Sequence, residues 1–128
     1  MKASTLALRV GPLLLIGGMG FGIFMAASKD HTAASAHAHL NLLGFAVTMI
    51  MGLVYRLQPP IDEGTLAVAQ MGLWLASVAV MFPSLVLLFY GNAQAEIGAV
   101  ISSFTALLSM IIFAINAFRI TAGALPAR

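Results

Sequence analysis

The sequence predicts an all-α integral membrane protein, a single domain built as a four-helix antiparallel bundle. Of its 128 residues, 61% are hydrophobic and only 8% are charged, and the mean hydropathy is +1.02. A soluble domain carries about a quarter charged residues, so a chain this apolar could not cover its surface in water. The apolar residues fall into four segments, each reaching the roughly 20 residues that span a bilayer core: residues 10–28, 36–57, 66–90 and 97–120.

Short polar breaks separate the four segments, and short connections favour helices that alternate up and down. This arrangement divides the basic residues unequally between the two sides of the membrane. Five lie on the side of the termini: Lys2, Arg9, Arg56, Arg119 and Arg128. The other side holds only Lys29. Because basic residues are retained in the cytoplasm, we expect a multi-pass protein of the bacterial inner membrane with both termini cytoplasmic.

The composition also excludes several kinds of site and partner. The chain has no cysteine, so it can form neither a disulfide nor a thiolate metal centre. Its net charge of +2 is spread out and contains no basic run, so nucleic acid is not an expected partner. The expected surroundings are the lipid bilayer and other membrane subunits.

Three polar residues stand at the head of the second segment, in the stretch AHAHLNLLGF: His37, His39 and Asn41. Polar groups at the edge of the hydrocarbon are costly and usually have a function. Helical steps of three and four from His37 pass through small and polar residues, a face that turns toward neighbouring helices: Asn41, Gly44, Thr48, Gly52 and Tyr55. The same steps from His39 pass through apolar residues suited to lipid or another subunit. We therefore expect His37 inside the bundle and His39 on its outer surface.

An imidazole at this place can bind a metal or haem, relay protons, or form a hydrogen bond with a backbone carbonyl, and spacing alone leaves these alternatives open. His37 and His39 diverge on a regular helix and cannot clamp one ion. Met25 lies near the same level and could supply a soft ligand to haem iron or copper(I). Glu96 is expected to stabilise a helix N-terminus or to accept from an imidazole.

Two glycines of the first segment, Gly18 and Gly22, have the spacing of a GxxxG motif. Small residues at this spacing allow two helices to approach closely. The motif therefore predicts that both glycines face another helix, within the bundle or across a dimer.

The stretch from His37 to Phe45, followed by Tyr55 and Arg56, resembles small bacterial membrane proteins grouped with subunit I of the haem-copper oxidases. NnrS-type membrane proteins carry a similar His-Ala-His segment. The resemblance covers about residues 17–56. It implies a haem b, with His37 in the position of the histidine that ligates the low-spin haem. Apart from the resemblance, we take His39, Asn41 and Met25 as further candidate cofactor-binding residues.

Subunit I of these oxidases places its other haem and copper ligands on later helices. The third and fourth segments here contain no histidine, so the chain is not expected to act as an enzyme alone. Two functions follow. One is a haem-binding protein for electron transfer, haem handling or gas sensing, as a homo-oligomer or in a larger respiratory complex. The alternative is a non-catalytic accessory or assembly protein of a respiratory oxidase that binds copper.

Overall fold

The structure, a computed structural model, describes residues 1–123, so Arg128 lies outside the described residues. Its elements in chain order are α1 (Ala3–Ser28), α2 (Ala34–Arg56), the short α3 (Pro59–Asp62), α4 (Thr65–Phe89), a 3-10 turn (Ala93–Ala95) and α5 (Glu96–Thr121). The four long helices are long and apolar enough to cross a membrane. The predicted fold class is confirmed.

The first helix begins at Ala3, earlier than the apolar segment that starts at residue 10. Its first turn is held by the connection between the second and third spans. The fully buried carboxylate of Asp62 accepts from the Ser4 backbone N–H at 2.7 Å and from the Ser4 hydroxyl at 2.6 Å. Lys2 and Glu63 add an ion pair of 2.8 Å at the surface. A carboxylate at a helix N-terminus satisfies free N–H groups, so helical structure extends beyond the hydrophobic run.

Helices α1 and α2 form a close antiparallel interface built on small residues. The buried positions of α1 include four at seven-residue intervals: Ser4, Gly11, Gly18 and Met25. Along the interface Ala7 meets Gly52, Gly18 meets Asn41, and Gly22 meets His37. Because a Cβ atom at any of these three glycines would overlap the facing residue, the helices approach as closely as glycine allows. The prediction that Gly18 and Gly22 face another helix is confirmed.

The middle of α2 is a π-helix, Leu40–Val47, flanked by α-helical turns. Within this π-helical segment, one backbone carbonyl accepts hydrogen bonds from two side chains. The Leu43 carbonyl accepts from the Thr48 hydroxyl at 2.8 Å and from the Trp74 indole N–H of α4 at 3.3 Å. Such segments are rare and occur frequently at functional sites. The predicted inward face survives, since Gly44, Thr48, Gly52 and Tyr55 are all buried.

Helix α4 is the central element, and α5 packs mainly against it. A fully buried polar cluster joins α2, α4 and α5 in the half of the bundle near the termini. The Gln70 amide accepts from the Tyr55 hydroxyl and donates to the Ser109 hydroxyl, both at 2.9 Å. Asn116 donates to Tyr55 at 3.2 Å. At the opposite end the Tyr90 hydroxyl donates to Asp30 at 2.6 Å, which ties the two connecting loops together.

Candidate functional site

The candidate site is the first two turns of α2, which carry both histidines immediately before the π-helical segment. The two imidazole rings point to different sides of α2. His37 lies half-buried against α1, and His39 lies on the exposed surface. This is the division that the helical spacing predicts.

His37 is engaged within the α1–α2 interface. Its Nε2 lies 3.2 Å from the side-chain nitrogen of Asn41, one turn along the helix. With the amide oriented this way the nitrogen can only donate, so Nε2 accepts and Nδ1 carries the ring proton. That Nδ1 is buried, and among the described residues it has no hydrogen-bond partner. The Asn41 Oδ1 is also buried and also has no hydrogen-bond partner among the described residues.

Two glycines of α1 lie against His37 and Asn41, and an aromatic ring lies beside His37. A Cβ atom at Gly22 would lie 2.8 Å from His37 Cε1, and one at Gly18 would overlap Asn41 Oδ1. The Phe21 ring stands 6.4 Å from the His37 ring, and it meets Phe82 of α4 edge-on at 5.4 Å. The glycines of α1 and the Phe21 ring therefore hold His37 in the interface, and its Nε2 is hydrogen-bonded to Asn41.

His39 is oriented by a hydrogen bond to the backbone that uses only one of its two ring nitrogens. Its Nδ1 lies 2.8 Å from the Ser35 carbonyl oxygen, one turn earlier. A carbonyl can only accept, so Nδ1 carries a proton, and in the neutral ring Nε2 holds the lone pair. A backbone carbonyl that fixes the tautomer in this way is the usual arrangement of a metal-binding histidine. Ser35 contributes to the site through its backbone alone, so no side-chain pattern in the sequence points to it.

The structure does not gather the other predicted candidates around His39. Met25 is 4% exposed and belongs to the buried face of α1, beyond Gly22. Glu96 is the first residue of α5, as expected, and is exposed, like His31 in the first loop. Among residues 1–123 no group of three or more metal-ligating side chains comes together. A metal or haem ligand set therefore stays a prediction.

The loops at the histidine end of the bundle carry one strongly ionised group close to this level. Asp30 accepts from the Thr32 hydroxyl, from the Tyr90 hydroxyl and from the Thr32 backbone N–H, and these bonds lower the pKa of its carboxyl to about 2. The same bond from Tyr90 raises the pKa of that phenol. Asp30 thus stays anionic and holds the loop between α1 and α2 beside the end of α4.

The described cavities do not adjoin either histidine. They have volumes of about 160 to 400 Å³ and lie along α4 and α5 or beside the α3 turn. Binding at His37 would require its ring to give up the bond to Asn41 and leave a packed interface. His39 could bind from outside the bundle with its present hydrogen bond intact. Of the two histidines, His39 is therefore the one that could accept a ligand without a change in the bundle, and haem binding at either histidine stays a prediction.

Sequence reasoning did not identify the buried polar cluster around Gln70. Its signal was present, since Gln70 and Asn116 are strongly polar residues inside apolar segments. Their partners, Tyr55 and Ser109, could be found only from the packing of three helices. All of these side chains are fully enclosed, which points to a structural role.

Comparison with protein-family models, curated proteins and solved structures finds no match to this chain.

Proposed function

We propose that this protein is a haem-binding integral membrane protein, acting in electron transfer, haem handling or gas sensing, with His39 as an iron ligand. The observation that carries the proposal is the fixed tautomer of His39, whose Nδ1–H is held by the Ser35 carbonyl while Nε2 is left for a metal. Haem supplies redox chemistry or gas binding at its iron, and the chain supplies the imidazole and the apolar surroundings.

Two further considerations support a ligand rather than a structural role for His39. An imidazole near the hydrocarbon boundary is expensive unless it is used. The helical face below His39 is apolar and exposed at Leu42 and Ile50. A surface that packs against the flat apolar face of a porphyrin needs such residues. The resemblance to oxidase subunit I favours His37 as the iron ligand. The hydrogen bonds favour His39, because the Nε2 of His37 is already bonded to Asn41.

The His37–Asn41 pair has a different role in this proposal. It packs against Gly18 and Gly22 in the α1–α2 interface and thereby fixes the rotation of α2 about its axis. That rotation decides where His39 points. We assign His37 and Asn41 as positioning residues, and we place the site on the periplasmic side of a bacterial inner membrane, with both termini cytoplasmic.

The test is haem titration of detergent-purified protein, followed by the Soret band, with a pyridine haemochrome assay and metal analysis of the protein as isolated. We expect haem binding in the parent and its loss, by at least tenfold in affinity, in His39→Ala. His31→Ala is the matched control because His31 is also exposed but lies in the loop. His37→Ala should still bind haem and show a Soret band, with a changed affinity for haem.

Three results would contradict the proposal. The first is a parent protein that stays colourless with ample haem, and the second is a His39→Ala variant with the spectrum and affinity of the parent. Copper found in the isolated protein, with no haem, would favour the accessory or assembly function instead.

A further inference from the structure

We infer that the end of the bundle away from the histidines holds a binding site for a phosphate group, in the cavity between the start of α4 and the last turns of α5. The cavity has a volume of about 160 Å³. A single water needs roughly 10 to 15 Å³ of such space, so a group of several heavy atoms can enter. The inference concerns a different part of the chain from the haem site and does not depend on it.

The cavity combines apolar walls with two polar side chains. The connection before α4 and the first turn of α4 supply the apolar walls: Pro60, Ile61, Leu66 and Ala67. Asn116 and Arg119, one turn apart on α5, supply the polar groups. Small-molecule sites commonly have this composition, in which apolar walls enclose the ligand and a few polar groups fix its orientation.

The guanidinium of Arg119 gives the cavity a positive charge. Arg119 lies in the last turn of α5 and forms no ion pair with any group of residues 1–123. An arginine presents its N–H donors in a planar fork that matches two oxygens of a phosphate. The cavity therefore favours an anion with several oxygens.

The first turn of α4 adds backbone donors on the same side of the cavity. Gly64 precedes this helix in an extended conformation, no side chain caps the helix, and its first turn contains no acidic residue. The Val68 N–H donates to the Gly64 carbonyl at 3.1 Å, and the three N–H groups before it have no partner among residues 1–123. Free N–H groups at a helix N-terminus attract anions, so they act in the same direction as Arg119.

Asn116 adds a requirement for a hydrogen-bond donor on the ligand. Its side chain is 1% exposed, and its nitrogen donates to the Tyr55 hydroxyl at 3.2 Å. No donor among residues 1–123 reaches its Oδ1, and the residue lines the cavity. Because a buried oxygen of this kind is normally hydrogen-bonded, its donor must come from the occupant.

These groups together specify the chemistry of the ligand. Arg119 and the N–H groups of α4 require an anion, and the Asn116 oxygen requires an N–H or O–H beside it. A phosphate group that carries a donor meets both conditions. Inorganic phosphate keeps an O–H at neutral pH, and the headgroup of phosphatidylethanolamine carries N–H groups next to its phosphate.

The experiment measures both sources of phosphate on the full-length protein in detergent. Sodium phosphate is titrated by calorimetry beside sodium sulfate, a tetrahedral anion without an O–H at neutral pH. Phosphatidylethanolamine and phosphatidylcholine, which carry the same charges but differ in N–H donors, are added separately and their retention is measured by native mass spectrometry. We expect phosphate or phosphatidylethanolamine to bind, and Arg119→Gln should weaken that binding about tenfold because a charge-assisted hydrogen bond is lost.

Arg56→Gln is the matched control. It removes the same charge from an exposed arginine at the same end of the bundle, and Arg56 does not line the cavity. This variant should bind phosphate or the lipid as the parent does.

The outcomes separate the two sources and expose a failure. Phosphate binding that Arg119→Gln weakens identifies a soluble ligand, and retention of phosphatidylethanolamine with the same sensitivity identifies a lipid headgroup. A parent that binds neither compound overturns the inference. So does an equal loss in Arg119→Gln and Arg56→Gln, which would indicate only a general attraction of anions. Sulfate or phosphatidylcholine bound as strongly as its counterpart overturns the role of the Asn116 oxygen.

Discussion

The contact between Ala7 of α1 and Gly52 of α2 provides a sharp test of the structure through Gly52→Ala. A Cβ atom added at Gly52 would lie 2.5 Å from the Cβ of Ala7. Carbon atoms in contact prefer about 3.5 to 4.0 Å, so the helices would have to separate by roughly 1 Å. Ala7 has no rotamer through which it could escape. Overpacking of this kind costs about 1 to 3 kcal/mol, and we expect Gly52→Ala to lower the free energy of unfolding by that amount.

Three further variants separate the steric effect from helix propensity. Gly72→Ala makes the same chemical change inside α4, where an added Cβ meets nothing within 4 Å, so it should be neutral or stabilising by up to about 1 kcal/mol. Ala7→Gly removes the atom that Gly52→Ala strikes. The double variant Ala7→Gly with Gly52→Ala should therefore recover stability, with a coupling energy of about 1 to 3 kcal/mol.

The assay is reversible unfolding in mixed micelles, followed by circular dichroism, with all four proteins measured beside the parent. If Gly52→Ala is as stable as Gly72→Ala, the close interface does not exist as described. If the double variant shows no coupling, Ala7 and Gly52 are not in contact. Either result would also weaken the evidence for the orientation of α2 that places His39 on the surface.

Three other predictions concern the polar cluster, the loops that Asp30 and Tyr90 join, and the topology. Gln70→Leu should cost about 1 kcal/mol in the same unfolding assay, because it leaves the Tyr55 and Ser109 hydroxyls with fewer partners, and a neutral result would contradict the cluster. The folded pKa of Asp30, about 2, is below its ordinary 3.8, so its stabilisation is present above pH 3.8 and is lost as the pH falls toward 2; Asp30→Asn should flatten this part of the stability profile, and an unchanged profile would refute the assignment. Reporter fusions after Arg128 and within residues 33–36 should be active in the cytoplasm and periplasm respectively, and a periplasmic signal after Arg128 would overturn the topology.

Hydropathy and small-residue spacing were sufficient to predict the class of fold and the close contact at Gly18 and Gly22. Both depend on local composition, because an apolar run of about 20 residues must be helical in a bilayer and glycine at four-residue spacing permits close approach. The inward face of α2 was predictable for the same reason. The start of α1 was not, since it depends on Asp62, 58 residues away in sequence from Ser4.

For the site, the sequence by itself determined which residues are unusual and which of the two histidines faces inward. It could not determine their chemistry. The π-helical segment, the bond from Asn41 to His37 and the bond from His39 to the Ser35 carbonyl come from backbone geometry and packing, which no residue pattern specifies. Only the tertiary structure confined His37 against the glycines of α1 and left His39 outside, because the face of α2 that fits closely against α1 is the one that carries His37.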